Sequence, residues 1–194
     1  MNCKPLSYSF SLALLFVLST SARFAPKHTM PMNEYEGCCG AQPVEFTRAK
    51  KQIYVPNAFT PNGDGVNDYF RPYVNDEVGT VWGFTILSAT GDTVLFMRPR
   101  FDGSDSTKLS YYAWNGLRKD GTRYKGLFKY RMRVDDKMAN KDIIEGTACA
   151  IVCGPEANYF QSKQGCFFPA QAGENEKKGK LESARKNRET NCFK

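Results

Sequence analysis

Leu127-Phe128-Lys129-Tyr130-Arg131-Met132-Arg133-Val134 is the stretch whose reading decides the fold. Phe128, Tyr130, Met132 and Val134 occupy alternate positions, and Lys129, Arg131 and Arg133 fill the gaps. Successive side chains of a strand point to opposite faces, so a period of two predicts a strand that is apolar inside and basic outside. Such half-buried strands belong to antiparallel sheets with one wet face. Lys129, Arg131 and Arg133 are therefore candidates for a binding face. The plainer reading is that they form the solvated side of a sheet.

Working outward, Val81 to Ser88 alternates as well, with Trp82, Phe84 and Ile86 assigned to one face and Thr85 to the other. Ala89-Thr90-Gly91-Asp92 reads as a turn, and Thr93 to Phe96 as the returning arm of a hairpin. Residues 99–110 are polar and read as loop. Ile53-Tyr54-Val55 is a short strand closed by Pro56, and Asp68 to Val74 a second, with Pro72 marking an edge or bulge. Cys149 to Cys153 reads as the last strand. Several short strands between turn signals, without a strong amphipathic helix, predict an all-β, immunoglobulin-like antiparallel β-sandwich.

The organisation around it follows from composition. Lys4, the apolar run Leu12 to Leu18, and Ser19-Thr20-Ser21-Ala22 succeed one another as in a secretory signal peptide over residues 1–22. The apolar run is too short to span a bilayer, and no later segment reaches that length, so the mature chain is expected to have no transmembrane segment. Residues 23–51 form an irregular segment broken by Pro26, Pro31, Gly37, Gly40 and Pro43. The sandwich is assigned to 52–153. Residues 154–194 form a charged, cysteine-containing polar tail, with Glu174/Lys178, Glu176/Lys180 and Glu182/Lys186 at helix-compatible spacing.

Of seven cysteines in the 194 residues, Cys3 leaves with the signal. Cys38, Cys39, Cys149, Cys153, Cys166 and Cys192 remain, an even number in an exported chain, and are disulfide candidates. Six cysteines allow fifteen pairings. Strand geometry places Cys149 and Cys153 roughly 13 Å apart, beyond the about 7 Å that a disulfide tolerates, so they are expected to take different partners. Zinc is disfavoured because the one histidine, His28, lies in the irregular segment. The formal charge of +7 permits anionic partners, but basic and acidic residues are interleaved, which argues against nucleic acid. No serine-nucleophile motif and no histidine–carboxylate pairing is present, so the chain does not read as an enzyme.

The most specific motif runs Val55-Pro56-Asn57-Ala58-Phe59-Thr60-Pro61-Asn62-Gly63-Asp64-Gly65-Val66-Asn67-Asp68-Tyr69-Phe70. Its Asn-Gly and Asp-Gly pairs supply turn positions with positive φ. Asn62, Asp64, Asn67 and Asp68 are also candidate calcium ligands, although no glutamate closes an EF-hand-type loop. Either a structural turn or a calcium site fits these residues; no other cofactor is expected.

The motif resembles the opening of the gliding motility-associated C-terminal domain, the type B sorting domain of type IX secretion. Trp114-Asn115-Gly116 is similar to the family's Trp-Asp-Gly, and Gly126 to Tyr130 to its Gly-x-Tyr-x-Tyr strand. Ala89-Thr90-Gly91 stands where the family carries Arg-Trp-Gly. The resemblance covers about residues 52–152. It implies a non-catalytic exported or cell-surface module of a Bacteroidetes-type bacterium, handled by the type IX outer-membrane machinery. With only residues 23–51 between signal and domain, the chain reads as a stand-alone member. Its expected location is the cell surface or the extracellular space, with the periplasm as a further compartment. The alternative is a structural or adhesive surface protein that binds a glycan or a protein through its basic sheet face.

Overall fold

The structure is a computed structural model that describes residues 34–102, 109–158, 179–180 and 192. The expected signal peptide, Cys166 and nearly all of the polar tail lie outside the described residues. Among the described residues eight strands run in chain order: β1 Val44–Arg48, β2 Lys51–Val55, β3 Ala58–Phe59, β4 Tyr73–Val74, β5 Val78–Ser88, β6 Val94–Phe101, β7 Gly126–Asp136 and β8 Lys141–Ala150. They form two sheets, ordered β1-β2-β4 and β3-β8-β7-β5-β6. One α-helical turn, Leu109–Tyr112, follows β6. Among the described residues no helix is long and apolar enough to cross a membrane.

Both sheets face one apolar core. Ile53, Val55 and Val74 come from the smaller sheet, and Val81, Phe84, Ile86, Phe128, Met132, Val134 and Ile144 from the larger. Phe70 sits at its centre. Its ring lies 4.7 Å from Phe128, 5.5 Å from Tyr130, 5.8 Å from Phe59 and 6.2 Å from Phe84, distances at which aromatic pairs add attraction beyond area burial. Trp114 closes the cluster on Phe59 and Phe128. A second, smaller core gathers Tyr35, Cys38, Ala58, Cys149, Ile151, Ala157 and Cys192 at one end.

β7 carries the expected alternation: Phe128, Tyr130, Met132 and Val134 are buried, Lys129 and Arg131 are exposed, and Arg133 is half-buried. Five features depart from the sequence reading. The last strand, read as Cys149 to Cys153, is β8 and ends at Ala150, leaving residues 151–153 outside it. Part of the irregular segment 23–51 is a strand, since β1 pairs antiparallel with β2 from Val44↔Val55 to Arg48↔Lys51. The pairing is antiparallel throughout except for β3, which lies parallel to β8. β6 continues to Phe101, through residues read as loop. Asp68 to Val74 is not one strand: Phe70 bridges Trp114, and only Tyr73–Val74 pairs with β2.

β5 also changes phase. Val81, Phe84 and Ile86 are buried, whereas Trp82 is half-buried and opposite Arg100 and Arg133. Trp82 therefore does not share a face with Phe84 and Ile86. The pairing of β5 with β7 shifts register between Trp82 and Thr85, and Gly83 in that interval adopts φ of 58°. The extra residue is a β-bulge, which glycine accommodates because it lacks a Cβ.

Candidate functional site

The Val55–Phe70 segment divides into two halves. Val55 to Pro61 is buried, while Gly63, Asp64, Gly65 and Tyr69 are exposed. In the buried half, Val55 ends β2 of one sheet and Phe59 ends β3 of the other, so the chain crosses the core within a few residues. The Asn57 side chain donates to the Ala41 carbonyl at 3.0 Å, and the Asn57 backbone carbonyl accepts from the Cys149 amide at 2.8 Å. Asn57 thereby ties the crossing to the N-terminal segment and to β8.

The exposed half is a turn built on carboxylates. Asp68 accepts from the Gly63 amide at 2.5 Å and the Gly65 amide at 2.7 Å. Asp64 accepts from the Val66 amide at 2.9 Å and from the Asn62 side chain at 3.0 Å, while Asn62 Oδ1 accepts from the Asp64 amide. Gly63 and Gly65 hold φ of 86° and 88°, and Asn67 holds 51°. Asn62, Asp64 and Asp68 thus lie within hydrogen-bonding reach of one turn. Their oxygens accept N–H groups there, which accounts for the acidic residues structurally. Among the described residues no group of three or more His, Cys, Asp or Glu side chains could hold a metal ion. A cavity of about 160 Å³ opens beside the turn, bordered by Asp68, Asn115 and Arg123. It is smaller than the about 300 Å³ at which small-molecule pockets begin, and Arg123 donates to the Pro61 carbonyl within it.

Lys129, Arg131 and Arg133 lie on the outer face of the five-stranded sheet, in three cross-strand rows. These read Arg100–Trp82–Arg133–Ile143, Met97–Thr85–Arg131–Glu145 and Val94–Leu87–Lys129–Thr147. The Arg100 and Arg133 guanidinium groups lie 4.8 and 5.0 Å from the Trp82 ring centroid, within cation–π range. Arg133 is also held by Asp135 at 3.0 Å, and Arg131 lies 3.9 Å from Glu145. Val94, Met97 and Ile143 are 41%, 52% and 52% exposed on this face. The alternation assigns Trp82 to the face of Phe84 and Ile86 and reads Arg100 as loop; the bulge at Gly83 has no signal in that alternation except the glycine itself.

Disulfides tie Cys38 and Cys192 to the end of β8 and the segment after it. Cys38 is bonded to Cys149 and Cys153 to Cys192, so Cys149 and Cys153 take different partners. Cys39 is disulfide-bonded as well. Beside Cys38, the Tyr35 hydroxyl donates to the Val152 carbonyl at 3.1 Å and accepts from the Val152 amide at 2.9 Å. Burial pushes its pKa up to about 12 despite the hydrogen bond to Val152.

One charged cluster carried no sequence signal. Lys51, at the start of β2, is only 2% exposed. Its Nζ donates to Asp142 Oδ2 in a close contact and to the Asn140 carbonyl at 3.2 Å, and lies 3.5 Å from Asp136 Oδ2. Arg48 donates to the other Asp142 oxygen, Oδ1, at 2.5 Å. Burial raises the Asp142 pKa, but the hydrogen bonds from Lys51 and Arg48 outweigh it and hold the carboxyl below the usual range. Asp136 is lowered to about 2, chiefly by the Asn140 side-chain amide.

Compared with known proteins, the chain matches no family model and no curated protein.

Proposed function

We propose that this chain is an exported, non-catalytic module with an immunoglobulin-like sandwich, displayed on the cell surface by the type IX route. The unbroken Val55–Phe70 motif carries this reading. Its buried half links the two sheets and its exposed half is a self-contained turn, an arrangement suited to a recognition segment that is presented by a folded domain. The disulfides are compatible with an oxidising, extracytoplasmic destination. The test is expression in a Bacteroidetes host with and without functional type IX secretion. The protein is expected on the surface of the first and inside the envelope of the second. Equal surface display in both would overturn the reading.

A second reading has its own observation. The Arg100–Trp82–Arg133 row holds two guanidinium groups against one indole on an exposed sheet face, as an adhesive module that recognises an acidic glycan would. Retention on a polyuronate column, lost in the Arg100→Ala/Arg133→Ala variant, tests it. Equal elution of variant and wild type would refute it.

A further inference from the structure

We propose that Lys51 and Asp142 are covalently joined through an amide bond between Lys51 Nζ and Asp142 Cγ. Lysine is almost never fully buried unless paired, and burying two charges costs several kcal/mol per ion even when they touch. Replacing the pair by a neutral amide removes both charges from the interior. The Arg131–Glu145 pair, with side chains 64% and 71% exposed, has no such incentive.

Geometry distinguishes the two oxygens of Asp142. Arg48 donates to Oδ1, while Oδ2 faces Lys51 Nζ. Oδ1 is thus placed to remain as the carbonyl oxygen, with the Arg48 guanidinium stabilising negative charge that develops there. Oδ2 is placed to leave. The fold holds amine and acid in contact from different sheets, β2 and β8, which turns the condensation into an intramolecular step.

The atoms balance without a co-reactant. One proton passes from the Lys51 ammonium to Asp142 Oδ2, leaving a neutral amine and a neutral acid. The amine attacks Cγ. A second proton leaves the now cationic nitrogen, is taken by Asp136 Oδ2 and is handed on to the departing oxygen. The Cγ–Oδ2 bond breaks and one water is released. Asp136 Oδ2, 3.5 Å from Lys51 Nζ, is the carboxylate placed to carry that proton. The single N–H of the product keeps the Asn140 carbonyl as its acceptor.

High-resolution mass measurement of the reduced, denatured mature protein tests this. The expected mass is that of the linear chain, counted with all cysteines reduced, less one water. Proteolysis should then yield a branched peptide joining Lys51 to Asp142. Lys51→Arg and Asp142→Ala should abolish the deficit, and Asp136→Asn should leave a larger uncondensed fraction. A wild-type protein of full mass overturns the proposal, whatever the variants do. So does a deficit that maps to an imide at Asp64-Gly65 or Asp120-Gly121, or to a bond between Lys51 and Asp136. Full condensation in Asp136→Asn would overturn the relay assigned to Asp136.

Discussion

Replacing Gly63 and Gly65 together by alanine tests the account of the Asn62–Asp68 turn. At both positions an added Cβ would meet nothing within 4 Å, so contact terms drop out. What remains is the backbone: φ of 86° and 88° lies where a Cβ is penalised by about 1–2 kcal/mol per residue. Alanine also restricts the unfolded chain, which offsets part of the penalty. Both amides bond to the same Asp68 carboxylate, so the two costs are coupled. A combined loss of about 2–3 kcal/mol is expected. For a domain of this size each kcal/mol shifts Tm by about 2–4 °C, so the double variant should melt roughly 4–12 °C below wild type. Thermal melts followed by circular dichroism, with calcium and with chelator, read this out. A double variant as stable as wild type would refute the turn account. The Asp64 and Asp68 oxygens already accept backbone N–H groups, so calcium should not move the wild-type melt. A rise in Tm with calcium, abolished in Asp64→Ala, would assign these residues to a metal site instead.

Phe70→Ala should cost about 3–5 kcal/mol, the range for deleting a core aromatic, whereas Tyr69→Ala, at a side chain 37% exposed, should stay within about 0.5 kcal/mol; urea titration of the two variants compares them. Removing the Cys153–Cys192 disulfide, with a sequence separation of 39, should cost about 4 kcal/mol by loop entropy, and removing Cys38–Cys149, with a separation of 111, about 5 kcal/mol. Denaturation of the paired serine variants would show the order reversed if the tail contributed most. Asp92 is held at about 2 by hydroxyl groups, first that of Ser88 and then those of Thr90 and Thr93. A carboxyl depressed on folding stabilises fully above its unfolded pKa and loses that stabilisation as pH falls through the folded one. The β5–β6 turn should therefore loosen between about pH 4 and pH 2, and an Asp92 carboxyl signal titrating near pH 4 by NMR would contradict this.

The sequence announces an element when its neighbours in the chain are also its determinants. β7 is legible because Phe128 to Val134 alternates without interruption between a core and a wet face. The β1–β2 hairpin is hidden because its turn residues, Ala49 and Lys50, are not turn formers. Ala49 takes φ of 53°, a conformation that Gly or Asn would have advertised. The parallel β3–β8 pair joins residues some ninety positions apart, beyond the reach of any local pattern. Trp82 was misplaced because one bulged residue inverts the faces of everything before it. At the site, Lys129, Arg131 and Arg133 were legible from β7 alone. Arg100 was not, since it needs β6 to extend past Pro99. The Lys51–Asp142 contact is invisible in sequence for the same reason as β3–β8: it is made only when the two sheets meet.

The Cys38–Cys149 bond has a mechanical consequence. A pull applied between the two ends of the chain enters near Cys38 and can leave at Cys149 without passing through the hydrogen-bonded ladders between them. The intervening 111 positions, roughly 370 Å of contour when drawn out, are thereby withheld from extension. Under tension the oxidised module should stay short and stiff, and in reducing solution the same pull should extend the segments on either side of the Lys51–Asp142 bond.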